Sequence, residues 1–304
     1  MNFKKLKLEL FYIRKAFLKY KEGFKYLANK YFLAPKILKL NKILEKPINN
    51  DDLSIHVLTS YRDLIMLIWA LGSFYQTAET IGQLFIHSDG SLTDSDKKII
   101  KRFFPSAIVV EPKDFLAEKF FELEKYPALK KIRTGYPDFF LLKKLIDPYF
   151  VSEKKVHLII DSDLLWFNQP TEIEEGIKEG KSLMIQGLVG EGEPNYVYFK
   201  DGSKLDEKLA NLNSGIVLYQ KENFDLGKLT EYFEKFDLDN PKNKHFIEQA
   251  GYAYCLKELV GLPPSKYQIQ DSVNKDTVIR HYTSPKRPLF YIEGLGFLKN
   301  KFLN

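Results

Sequence analysis

From residue 53 onward, short apolar runs alternate with amphipathic segments: 53–58, 84–87 and 107–110 read as strands, with helices over 61–76 and 94–103 between them. That alternation constrains the fold more than any other feature, because parallel strands joined by helices need right-handed crossovers and bury both faces of one sheet. The order β-α-β-α-β predicts a doubly wound α/β half, in which the loops at the carboxyl ends of the strands line a ligand crevice. Thr59, Tyr61 and the Ser88-Asp89-Gly90 turn stand at those ends. Thr59 and Tyr61 are therefore expected at a nucleotide, with Asp89 on its nucleoside side.

Helices are expected over 114–130 and 137–145, then a strand over 156–160. Beyond it the pattern loosens into mixed α+β, with strands over 182–188, 196–199, 215–219 and 278–282 and helices over 226–236 and 246–259. Gly190-Glu191-Gly192-Glu193-Pro194 reads as a loop, and no repeat of fixed period is visible. The organisation expected is a leader, residues 1–50, and one domain, residues 51–304, whose catalytic pattern runs from residue 53 to about residue 293.

The leader is where the charge sits. Residues 1–50 hold thirteen Lys or Arg against three Glu, a net +10, so the remaining residues carry −4 of the overall +6. Leu8, Phe11, Tyr12, Phe17, Phe24 and Leu27 recur at near-helical spacing among these cations. Such a basic amphipathic helix suits an anionic membrane surface, through residues 1–46, or equally a helix docked on its own domain with a lysine-rich solvated face. Nucleic acid is not an expected partner, since the rest of the chain is net acidic and has no basic stripe. The longest uncharged apolar run, 64–74, is interrupted by Gly72 and Ser73 and falls short of the roughly 20 residues that span a bilayer. No secretory h-region is visible, and Cys255 is the only cysteine, which rules out an internal disulfide and a cysteine-based zinc site. A cytoplasmic protein, at most peripheral to a membrane, is expected.

The chemistry concentrates in Lys155-Val156-His157-Leu158-Ile159-Ile160-Asp161-Ser162-Asp163, an apolar strand that ends in two carboxylates spaced i and i+2. In extended chain such positions share a face roughly 6.5–7 Å apart, and two ionised carboxylates there are costly without a cation, so the motif calls for a hard divalent ion. Far along the chain, His281 closes another short strand and is followed by Lys286 and Arg287. A metal-binding imidazole there would sit beside two cations able to neutralise a diphosphate.

The Asp-x-Asp ending an apolar strand, the later Asn213-Ser214-Gly215 opening a strand, Glu248-Gln249 at a helix start, and His281-Tyr282 with trailing cations together resemble the metal-dependent GT-A glycosyltransferases over roughly residues 53–293. The resemblance implies a GT-A type, Rossmann-like mixed sheet flanked by helices, here behind an N-terminal helical leader. It also implies a nucleotide-sugar donor, most readily a UDP-sugar, held through its diphosphate by Mn²⁺ or Mg²⁺, with the sugar delivered to an acceptor hydroxyl on a glycan, lipid-linked or protein-linked carrier. Carried over, Asp161, Asp163 and His281 are the metal ligands, with Asp161 also at the donor ribose, Ser162 between them at the donor, and Lys286 or Arg287 at the diphosphate. Asn213, Ser214 and Gly215 would line the sugar pocket, and Glu248 and Gln249 would serve as catalytic base or acceptor contact. Many retaining members carry Asp-Gln and a Lys-Pro-Trp after the histidine, whereas this chain has Glu248-Gln249 and Lys286-Arg287-Pro288, so both inversion and retention stay open.

Arg133 and either Lys143 or Lys144 precede the Asp-Ser-Asp strand and are within reach of donor phosphate or base, with a surface role as the simpler reading of the lysines. His56 and His157 fall inside strands and Cys255 inside an apolar helix, so all three read as core residues. Two other functions compete. A haloacid-dehalogenase-like phosphatase also uses an Asp-x-Asp after an apolar strand, but its motif opens the domain and continues with Thr or Val, where this chain has Leu165. A non-catalytic nucleotide- or glycan-binding module of the same fold is the second, and the costly carboxylate pair weighs against it.

Overall fold

The computed structural model describes residues 3–303 apart from 137–138, 188–196, 207–208, 210, 239, 241–242, 244–245 and 270. Seven strands make one mixed sheet: β1 (Leu53–Thr59), β2 (Gln83–Ser88), β3 (Ile108–Val110), β4 (Val156–Asp161), β6 (Ser182–Gln186), β7 (Leu212–Gln220) and β8 (Leu259–Leu262), in the order β3-β2-β1-β4-β7-β6-β8. β1 pairs in parallel with β2 on one side and β4 on the other, which makes it the switch point where the strand order reverses. β7 runs antiparallel between β4 and β6. Its amino end therefore lies at the same edge as the carboxyl ends of β1, β2 and β4.

The central strands are mostly apolar because both faces are covered, with His56, His87 and His157 buried among them. In β4, Leu158 and Ile160 belong to one hydrophobic core and Ile159 to the other; in β7, Ile216 and Leu218 face the first and Val217 and Tyr219 the second. The helix α3 (Leu64–Thr77) covers the first face with Leu67, Ile68, Leu71 and Phe74, and α7 (Phe140–Val151) covers the second with Leu142, Leu145 and Ile146. Helix α4 (Asp94–Phe103) is opened by a reciprocal capping box between Thr93 and Asp96, and its bounds are those the sequence predicts.

A second, smaller sheet carries the functional consequence. β5 (Leu164–Trp166), three residues after β4, pairs antiparallel with β10 (Ile279–His281), which also pairs with β9 (Tyr267–Gln268). Leu164 stands opposite His281, and Tyr282 donates its backbone N–H to the Asp163 carbonyl at 3.0 Å. Backbone pairing thus delivers a histidine 118 positions away to the acidic motif.

Several sequence expectations need correction. The first crossover helix starts at Leu64 rather than 61. One helix over 114–130 is in fact two, α5 (Pro112–Glu124) and α6 (Pro127–Gly135), because Pro127 starts a new helix and cannot donate to continue the old one. The helix expected over 246–259 is α10 (Ile247–Cys255), and Leu259 already belongs to β8. Tyr198 and Phe199 make isolated bridges rather than a strand, while residues 188–196, which include the expected Gly-rich loop, lie outside the described residues. The short strands β5 and β9, helix α8 (Thr171–Glu179), and α12 (Leu295–Phe302) after α11 (Arg287–Leu289) have no counterpart in the expectations. Helix α9 (Leu226–Lys235) matches its expected span to within a residue.

The leader forms α1 (Phe3–Leu18) and α2 (Gly23–Ala28) and packs on the domain. Tyr12, Ala16, Tyr26, Ala34 and Ile37 are buried in the core shared with α3. Asn29 donates to the Tyr291 carbonyl at 2.7 Å and the Trp69 indole to the Ala34 carbonyl at 3.0 Å. No helix among the described residues is long and apolar enough to cross a membrane.

Candidate active site

At the shared carboxyl edge, Asp161 closes β4, Asp163 follows it and His281 closes β10. The His281 imidazole Nε2 lies 3.1 Å from Asp163 Oδ1 and 3.4 Å from Asp161 Oδ2. Here they are a hydrogen bond and an ion pair; adjacent ligands of an octahedral ion at about 2.2 Å are about 3.1 Å apart, so the same separations are compatible with coordination of one ion. The three ligand atoms lie within 4.8 Å of one another. Two carboxylate oxygens and one imidazole are a donor set that a divalent ion can take. The residues present fit a divalent ion.

The other His281 nitrogen is held as well. Nδ1 is 2.9 Å from Asn213 Oδ1, and the same oxygen accepts the Gly215 N–H at 2.9 Å. A Cβ on Gly215 would stand 2.4 Å from His281 Nδ1, so this glycine is required by the close approach of the imidazole. The Asn213-Ser214-Gly215 segment is adjacent to Asp161 because Ile160 pairs with Ile216 across β4 and β7.

Lys144 supplies the buried cation of the site. Its Nζ is 2.7 Å from Asp161 Oδ1 and 2.8 Å from Glu248 Oε1, and it donates to the Ser214 carbonyl at 2.7 Å. The Ser214 hydroxyl donates to Glu248 Oε2 at 2.8 Å. Burial alone would raise the Asp161 carboxyl, but Lys144 and His281 outweigh it and hold it at about 2. Glu248 goes the other way: burial and the nearby Asp161 raise it against the pull of Lys144. Burial opposes the imidazolium form of His281, yet Asp163 and Asp161 raise its pKa to about 9. At the opposite end, Arg287 Nε is 3.3 Å from Asp163 Oδ2 and its Nη1 is 2.9 Å from Asp63 Oδ1. The contacts form one line: Glu248, Lys144, Asp161, His281, Asp163, Arg287, Asp63.

The structure thus brings together Asp161, Ser162, Asp163, Asn213, Ser214, Gly215, Glu248, His281 and Arg287, with Gln249 beside Glu248 in α10 and Thr59 one strand away at the end of β1. Arg133 is elsewhere engaged. It makes a buried bidentate pair with Asp147, at 2.7 and 2.9 Å. Burial raises the Asp147 carboxyl to about 6 even against that guanidinium. Lys286 turns to the Ile269 carbonyl at 2.7 Å, so of the two trailing cations Arg287 is the one at the acidic motif. Lys143 donates to the Asp89 carbonyl at 3.0 Å. Tyr61 and Asp89 share the loop region at the ends of β1 and β2, joined through Ser91, whose hydroxyl accepts the Tyr61 N–H and donates to Asp89. The surface reading of Lys143 and Lys144 is overturned, since they are 5% and 3% exposed. Their sequence signal was present: with Asp147 they are the only charged residues of an otherwise apolar helix, Phe140 to Val151. Asp63 was given no role by the sequence reading, in which it falls inside the helix expected over 61–76; the helix in fact starts after it, at Leu64. The core assignments of His56, His157 and Cys255 hold, all at 0% exposure.

No protein-family model and no curated protein matches the sequence. Among solved structures, the chain is similar to the galactosyltransferase LgtC in complex with donor and acceptor sugar analogs, at TM-score 0.51 and 12% identity over 83% of this chain and 96% of that one. It is also similar to mouse xyloside xylosyltransferase 1, at TM-score 0.49 and 13% identity, over 77% of this chain and 98% of that one. The first likeness shows the fold: the chain has the GT-A architecture, a mixed sheet flanked by helices, as the sequence predicts.

Proposed function

We propose that the chain is a glycosyltransferase that moves a sugar from a nucleoside-diphosphate donor, a UDP-sugar first among candidates, to an acceptor hydroxyl on a glycan, lipid-linked or protein-linked carrier. The observation that carries this reading is the convergence of Asp161, Asp163 and His281 at coordinating separations, at the switch-point edge of a GT-A fold, with Arg287 alongside. Bound by these three groups, Mn²⁺ or Mg²⁺ would supply Lewis-acid stabilisation to the departing diphosphate. Arg287 adds a fixed positive charge for the same oxygens. Lys144 orients Asp161 and, with Ser214, occupies both oxygens of Glu248. Glu248 is therefore a positioning residue in this reading, and Gln249 is assigned the contact with the reacting sugar. The phosphatase alternative has no support in the fold, and the binding-module alternative leaves the ion cluster without a task.

A panel of nucleotide sugars, scored by released nucleoside diphosphate with and without Mn²⁺, tests the proposal. Metal-dependent release that is lost in Asp163→Ala supports it. Phosphate release from generic phosphomonoesters, abolished by Asp161→Asn, would replace it with the phosphatase.

For the leader we propose a peripheral contact with anionic lipid. Leu18, Phe24 and Phe32 are 66%, 82% and 74% exposed within the segment that carries the chain's net positive charge, the combination that favours an interfacial helix. Cosedimentation with phosphatidylglycerol vesicles should fall at least about tenfold when all three become serine. Equal binding to neutral phosphatidylcholine vesicles, or no loss in the variant, would refute it.

A further inference from the structure

A cavity of about 450 Å³ opens between the leader and the domain, within the range of small-molecule sites. The leader contributes Glu9, Tyr12, Tyr26, Lys30 and Tyr31, and the domain contributes Tyr61, Asp63, Arg287 and Tyr291. Tyr12, Tyr26 and Tyr291 are buried at its floor, whereas Tyr31 and Tyr61 stand half-exposed at its rim. The leader wall is braced from within. Glu9 accepts from the Tyr26 hydroxyl at 3.2 Å, from the Tyr31 hydroxyl at 2.8 Å, and from Lys30.

The position of this cavity follows from the line of contacts through the site. Glu248 and Ser214 lie at one end, the Asp161, Asp163 and His281 cluster in the middle, and Arg287 and Asp63 at the other end, where the cavity begins. Arg287 touches Asp163 and also lines the cavity, so a diphosphate held at the central cluster has the cavity beside it, open to the nucleoside. Tyr61 and Asp63, on the loop after β1, are at the switch point where a nucleotide is expected on topology alone. Aromatic faces suit a planar base, and a carboxylate at the entrance suits ribose hydroxyls.

Resting on the donor reading above, we infer that the leader forms the far wall of the nucleoside subsite, so that the base sits between Tyr61 and the leader's tyrosines and Asp63 accepts from the ribose. Residues 1–50 then complete the active site as well as covering the core.

The test compares nucleoside diphosphates with a ligand that lacks the nucleoside. Calorimetry with Mn²⁺ measures binding of UDP, ADP, GDP and inorganic pyrophosphate to the full chain and to Tyr31→Ala, Tyr61→Ala and Phe24→Ala. Phe24 is a leader residue outside the cavity. Tyr31→Ala and Tyr61→Ala should each weaken the best nucleoside diphosphate about 5–10-fold and leave pyrophosphate unchanged, with Phe24→Ala neutral to both. Unchanged nucleotide affinity in Tyr31→Ala overturns the inference. So does a raised acceptor KM at unchanged nucleotide affinity, which would make the cavity an acceptor subsite. A wild-type chain that binds neither UDP, ADP, GDP nor pyrophosphate overturns the donor reading itself, a separate failure.

Discussion

Gly215→Ala isolates the role of the His281 imidazole without touching any ligand atom. The added Cβ would meet His281 Nδ1 at 2.4 Å and Cε1 at 2.6 Å, where ordinary contact begins at 3.4 Å. The ring or the β7 backbone must therefore yield by about 1 Å, several times the roughly 0.2 Å tolerance of a metal–ligand distance. Backbone movement is resisted by the pairing of Ile216 with Ile160, so the ring moves and Nε2 leaves its place beside the two aspartates. Metal affinity should fall about 10–100-fold, or about 1.4–2.7 kcal/mol, with an overpacking cost to stability of about 1–3 kcal/mol. Titration calorimetry with Mn²⁺ and a nucleoside diphosphate reads the first quantity and urea unfolding the second. A variant that loses stability but keeps wild-type metal affinity would refute the argument that this glycine exists to admit the imidazole.

Further outcomes follow from the charge network and the buried histidines. Lys144→Met leaves the buried Glu248 and the part-exposed Asp161 without their cation and should cost about 2–4 kcal/mol in urea unfolding; a loss under about 1 kcal/mol would show that the pair is not held by this lysine. Arg287→Ala should lower kcat/KM for the donor about 10²–10³-fold, while Lys286→Ala, whose amine serves the Ile269 carbonyl, stays within a few-fold; the reverse ranking would reassign the diphosphate cation. Burial depresses the pKa of His87 and of His157 to about 3 and that of His56 well below its ordinary value. From pH 6.5 downward the unfolded chain therefore takes up protons that the folded chain refuses, and stability falls as pH falls. At pH 5 the three together cost about 4–6 kcal/mol. His157→Phe should flatten that slope by about one proton, and an unchanged slope in urea unfolding would contradict it.

The strands β1, β2, β4 and β7 were legible because each is a predominantly apolar run bounded by polar residues, and the acidic couplet was legible because two carboxylates closing such a run are costly without a cation. β5 and β9, at three and two residues, are too short to carry a period, although β5 is what brings residue 281 to residue 163. The imidazole was expected to converge with the acidic couplet, and His281 Nε2 lies 3.1 Å from Asp163, with Asn213 on its other nitrogen and Gly215 leaving it room. Lys144 escaped because a Lys-Lys pair reads as solvated surface unless the apolar residues around it are counted. Arg133 was drawn to the donor by its position before β4, whereas Asp147, one turn short of the end of α7, engages it inside the second core. Of the leader's two readings the structure bears out docking, through Tyr12 and Tyr26, while Phe24 and Phe32 remain exposed.

The most direct test is an anomalous difference map from crystals grown with Mn²⁺ and a nucleoside diphosphate. One peak about 2–2.3 Å from an oxygen of Asp161, an oxygen of Asp163 and the Nε2 of His281, with diphosphate density completing its shell, is the predicted result. A Mn²⁺ peak that avoids these three groups, with the diphosphate bound away from Arg287, would contradict the account.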